Sequence, residues 1–99
     1  MIPEHTLQAL DDYIINGLEP GGFLTAVLSN DLKGAVCRAD RWNHHNLADT
    51  VKFIANCAPA FCWGSREQVI SWLKAFREGT SMEPAIRRYK ERKEWYLAH

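Results

Sequence analysis

The feature that most limits what this chain can fold into is a periodic stretch from Pro20 to Asp40, PGGFLTAVLSNDLKGAVCRAD. Phe23, Leu24, Val27, Leu28, Leu32, Ala35, Val36 and Ala39 recur at steps of three and four, the spacing of one apolar helical face. A second element must cover that face. The polar triplet Ser29-Asn30-Asp31 interrupts it. Periodicity favours one helix running through the triplet, whereas propensity favours a break with Asn30 or Asp31 capping a second piece. Gly21-Gly22 opens the segment with either positive φ or close approach of a backbone or ligand. Gly34 lies beside the apolar face and could mark a close helix crossing.

The flanking segments also read as helices. Pro3 suits a first turn, and Leu7, Leu10, Ile14 and Leu18 follow with Tyr13 beside them, which predicts a helix over about 3–16. Asp11 and Asp12 fall on its outer side, and Asn16-Gly17 provides a left-handed stop. The cluster from Arg38 to His45 reads as a helix end and connector. Asn46 is a candidate N-cap for a helix to about Asn56, with Leu47, Val51 and Ile54 on its inner face, Phe53 flanking, and an end before Pro59. Ser65 with Gln68 matches a capping box and opens a helix carrying Val69, Ile70, Trp72, Leu73 and Phe76, which ends at Gly79. From Thr80 onward, Ala85, Ile86, Tyr89, Lys93 and Tyr96 share a face, although an isolated helix of this length is marginal in water. The expectation is an all-α fold: one small single-domain bundle of four to five helices, with a helical domain over 1–79 and a basic, aromatic C-terminal helix or tail at 80–99.

With 99 residues, 46% of them apolar and 11% aromatic, one domain can bury roughly 60–70% of its unfolded surface. Twelve basic and twelve acidic side chains cancel, so total charge supplies no general attraction to nucleic acid or membrane. Their distribution is uneven. Residues 1–64 hold four basic against seven acidic side chains, and residues 65–99 hold eight against five. An acidic first part can face a basic groove on a partner. Three cysteines, an odd number, and no signal-like N-terminus point to a reducing cytoplasm. No apolar run is long enough to span a bilayer, so no membrane partner is expected.

Catalytic and metal constellations are weak. Gly21-Gly22 lacks the preceding strand and following Lys-Ser or Lys-Thr of a nucleotide-hydrolysing loop. Cys57 and Cys62 are spaced too widely for a zinc knuckle, and the adjacent His44 and His45 point apart. Cys62 lies near a helix N-terminus, but no base is placed beside it by spacing. No enzyme activity, metal or cofactor is therefore expected. The run RRYKERKEWY interleaves cations and aromatics, yet Glu91 and Glu94 dilute it, leaving direct nucleic-acid binding a minority reading and docking on its own domain or on a second copy the better one.

The order PGGFLTAVLSNDLKGAVCRAD, then Asn43, Pro59, CWGS and VISW, resembles a widespread group of short phage and prophage proteins of uncharacterised type. The resemblance covers about residues 2–73 and leaves 74–99 outside. It implies a phage counter-defence protein in the host bacterial cytoplasm, similar in size to the anti-CRISPR proteins. The leading expectation is a non-enzymatic inhibitor that binds a host defence complex and occludes its nucleic-acid surface. Asp11, Asp12, Glu19, Asn30, Asp31, Arg38 and Asp40 are its candidate partner-binding residues. A second expectation is sequestration of a nucleotide signal, with Gly21, Gly22, Trp42 and Trp63 added to Asn30 and Arg38 for stacking and phosphate contacts. A third is a DNA-binding accessory protein that uses the basic tail. The first place to look for function is the set of polar or permissive positions within Pro20–Asp40.

Overall fold

The computed structural model describes all of residues 1–99. Seven α-helices follow one another: α1 (Glu4–Asn16), α2 (Gly22–Leu28), α3 (Leu32–Arg38), α4 (Arg41–His45), α5 (Leu47–Cys57), α6 (Arg66–Arg77) and α7 (Glu83–Ala98), with a 3-10 turn at Ala60–Cys62. The all-α class matches the periodicity, but there are more helices than four or five. Two local events account for the excess. Asn30 adopts a left-handed backbone, φ 61°, and splits the Pro20–Asp40 stretch into α2 and α3. Asp40 then accepts the Asn43 N–H at 2.8 Å, which starts α4 inside the expected connector.

The split also decides which apolar residues reach the core. Phe23, Leu24, Val27, Leu28 and Ala35 are buried. Leu32 and Val36 are not, being 71% and 41% exposed. A continuous helix would have aligned them with the first group; the turn at Asn30 rotates α3 and turns them outward. A similar rotation affects α5. Thr50, Phe53, Ile54 and Cys57 face inward, whereas Val51 is exposed, so the flanking Phe53 is the core residue. Asn46 does not cap α5: its side-chain amide donates to the Trp42 carbonyl at 2.8 Å and joins α4 to α5.

Tyr13 is the central junction, fully buried rather than flanking. Its hydroxyl donates to the Cys62 carbonyl at 2.7 Å, while its own carbonyl accepts the Trp72 indole N–H at 3.2 Å. One residue of α1 thus fixes both the 3-10 turn and α6, and no buried side-chain nitrogen or oxygen is left without a partner. The Ser65 cap forms as expected, Gln68 N–H donating to the Ser65 hydroxyl at 3.2 Å, while the Gln68 side chain accepts from that hydroxyl and donates to the Ala60 carbonyl rather than closing the box on the Ser65 N–H. The N–H of Gly64 donates to the Leu28 carbonyl at 2.7 Å and holds that loop against the end of α2.

Residues 83–98 form a full helix docked on the rest. Tyr89 is completely buried and meets Phe53 edge-on, ring centroids 6.3 Å apart; Tyr96 meets the same ring at 5.7 Å. Burying a large side chain contributes roughly 1.5–3 kcal/mol, which orders a helix too polar to persist alone. Asp11 completes the attachment. It faces α7 rather than solvent, accepting from the Tyr89 hydroxyl at 2.7 Å and from Lys93 Nζ at 2.6 Å.

Candidate functional site

Where α2, α3 and α6 meet, the surface opens into a groove of about 680 Å³. The Glu19-Pro20 turn and Gly22 form one wall, Asp31 and Arg38 another, and Arg66 and Ile70 of α6 the third. Thr25 and Ser29 add hydroxyls. Four sequence-predicted residues, Glu19, Gly22, Asp31 and Arg38, thus come together around one space.

Local folding positions each of them. Asp31 caps α3, its Oδ1 accepting the Gly34 N–H at 2.9 Å, while its Oδ2 lies 4.0 Å from Arg38 Nη1. Gly34 is what allows this arrangement. A Cβ there would lie 2.2 Å from Asp31 Oδ2 and 2.5 Å from Arg38 Nη1, so any side chain would displace the cap and the guanidinium together. The space that this glycine leaves is taken up by the ends of these two side chains. A Cβ on Gly22 would lie 3.2 Å from Arg38 Cδ, so the Arg38 stem lies close over that glycine. The turn itself is held by the Thr25 hydroxyl, which donates to the Pro20 carbonyl at 3.1 Å.

Arg66 completes the site and was not singled out from sequence. A signal for it existed. It directly follows the Ser65 cap, in the first turn of α6, where the helix dipole disfavours a cation. A positive residue there lacks a helical reason.

The remaining candidates lie elsewhere. Asp11 is bonded to α7 and its side chain is only 18% exposed, so the expected outward carboxylate is a structural tie. Asp12 accepts from Gln8 at 3.1 Å within α1. Asp40 caps α4 and lies 3.3 Å from His5 Nε2; chiefly the Asn43 N–H, and then His5, holds its carboxyl below the usual range. Asn30 is exposed at its turn. Gly21 has nothing near its missing side chain. Trp42 is 63% exposed with the Arg41 guanidinium 5.9 Å from its ring centroid, and Trp63 is half-buried against the core. Neither tryptophan lines the groove.

Thiol chemistry is suppressed in the interior. Burial pushes the Cys62 thiol up to about 12 and raises Cys57 as well, so neither forms a thiolate near neutrality. No three of the His, Cys, Asp or Glu side chains gather in a metal-holding cluster. No helix is long and apolar enough to cross a membrane.

The arrangement defines a small helical bundle with a groove of mixed charge, two guanidiniums and two carboxylates among hydroxyls. The chain matches no protein family, no curated protein and no solved structure.

Proposed function

We propose that this is a phage counter-defence protein that works by stoichiometric binding rather than turnover, and that it sequesters a small phosphorylated ligand of the nucleotide class. The observation that carries this reading is the convergence of Arg38 and Arg66, from two different helices, on one groove with Gly22, Thr25 and Ser29. Guanidinium forks match phosphate oxygens. Glu19 and Asp31 would repel a simple anion; Asp31 is engaged by the Gly34 N–H and stands beside Arg38, whereas Glu19 is left to accept from the donors that a nucleotide also presents, its ribose hydroxyls and exocyclic amines. A site with both signs of charge suits a ligand with both ends. The resemblance of residues 20–40 to phage proteins supplies the biological setting.

The test is a thermal melt of the purified protein against a panel of linear and cyclic nucleotides, paired with native mass spectrometry. A ligand at a hundred times its Kd adds about 2.7 kcal/mol of stability, a shift of roughly 10–20 °C for a domain of this size. One member should raise Tm, and Arg38→Ala or Arg66→Ala should remove that rise while leaving the unliganded Tm unchanged. A flat panel with no retained nucleotide would overturn the reading.

Binding to a host defence complex, with occlusion of its nucleic-acid surface, is the second reading. It is favoured by Leu32 and Val36, exposed one helical turn apart on α3 with no core role. Co-purification with an effector complex, lost in Leu32→Asp, is its test. The expected acidic surface supports it less, because Asp11, Asp12, Glu19, Asp31 and Asp40 divide between a helix tie, an intrahelical bond, the groove and two caps.

A further inference from the structure

A second and larger groove, about 1070 Å³, runs between the end of α5 with its 3-10 turn and the start of α7. It shares no residue with the groove described above. Its floor is apolar, with Pro59, Phe61, Met82 and Ala85, and Arg87, Arg88 and Arg92 line it from α7. Glu91 is the one carboxylate in its lining. None of the three guanidiniums lies within 4.0 Å of any carboxylate. Arg92 is nonetheless held in place, its Nε donating to the Asn56 carbonyl at 3.1 Å. That leaves its remaining donors pre-oriented at little entropic cost.

From this charge and shape we infer that the groove docks an extended acidic peptide segment of a partner protein, one in which apolar side chains alternate with carboxylates. The carboxylates answer the three unpaired guanidiniums, and the apolar side chains cover Phe61, 56% exposed, and its neighbours. A single-stranded nucleic acid fits less well. It needs a series of stacking platforms along a cationic track, whereas both rings that line this groove are engaged: Phe61 leans on Trp72 with centroids 5.5 Å apart, and Tyr89 is fully buried with its hydroxyl on Asp11. The chain's net charge of zero also supplies no long-range attraction for a polyphosphate.

Fluorescence anisotropy of the protein with a labelled Glu-Phe-Glu-Phe-Glu-Phe-Glu peptide tests this, with labelled oligo-dT of equal charge as the other arm. The peptide should bind, and the Arg87→Glu/Arg88→Glu double variant should weaken it at least about tenfold, a change of about 1.4 kcal/mol. Both residues are exposed, so an unchanged Tm will show the variant is folded. Arg77→Glu, an exposed residue of α6 outside the groove, should retain binding and thereby separate the site from net charge. Oligo-dT binding in preference to the peptide, no peptide binding, or equal loss in Arg77→Glu would each overturn the inference.

Discussion

The hydroxyl of Tyr89 donates to Asp11 Oδ1 at 2.7 Å, joining residues 78 positions apart and fastening the last helix to the first. Lys93 reaches the other oxygen of the same carboxylate at 2.6 Å. Asp11→Ala removes the acceptor from a fully buried phenol and leaves Lys93 unpaired. The expected loss is about 1–3 kcal/mol, and thermal or urea unfolding will measure it. Were Asp11 instead a partner contact, the same variant would lose binding and keep its Tm.

Gly17 ends α1 with φ 67°, and a Cβ there would lie 2.3 Å from Cγ of Phe76. That ring packs on Trp72, centroids 5.7 Å apart. Gly17→Ala therefore incurs both the left-handed backbone cost, roughly 1–2 kcal/mol, and displacement of a half-buried ring packed against the core. Unfolding should show a destabilisation above about 2 kcal/mol, and a smaller change would mean that α6 shifts freely.

These two cases mark what local chemistry reveals and what it cannot. The stop at Gly17 and the cap at Ser65 depend on residues adjacent in sequence, so composition announces them. The same holds for the break at Asn30, where propensity pointed to the turn and periodicity against it, and the turn prevailed because Asp31 could cap what followed. Asp11 is different. Nothing within α1 distinguishes an aspartate that will meet Lys93 from one that will meet water. The inner face of α5 failed for another reason: successive helical residues differ by about 100°, so choosing Val51 over Phe53 as the inward position depends on what packs there, and Tyr89 and Tyr96 come from 36 and 43 positions further on. Of the groove, Gly22, Asp31 and Arg38 were legible as exceptions to an apolar pattern and Glu19 as a carboxylate of the acidic first part, while the contribution of Arg66 depended on α6 folding back against α2.

Stability should fall at both ends of the pH range. Asp40 and Asp49 have carboxyls held below their ordinary value of 3.8, by the Asn43 N–H and by the N-terminal ammonium respectively. Their stabilisation is complete above that value and is lost as pH drops below it. Cys62 is opposite in sign. Its thiol is raised by burial from 9.0 to about 12, so the unfolded chain ionises first and stability declines as pH rises through that window. Denaturant unfolding from pH 2 to 11 will show a plateau between the two losses. Ellman titration of the native protein at pH 8 should find one rapid thiol, the exposed Cys37, and two that react only on unfolding.

Asp31→Ala separates the two functional readings. The carboxylate caps α3 through the Gly34 N–H, so its loss costs about 1 kcal/mol whatever the protein binds. The consequence for binding differs in sign. If the groove holds a phosphorylated ligand, removing a carboxylate 4.0 Å from Arg38 Nη1 frees that guanidinium and withdraws a repelling charge, so affinity should rise. If Asp31 instead pairs with a lysine or arginine on a host effector, affinity for that effector should fall. Titrating the variant and the wild type side by side against nucleotide and against effector, with Tm as the check on folding, gives opposite displacements of Kd for the two cases.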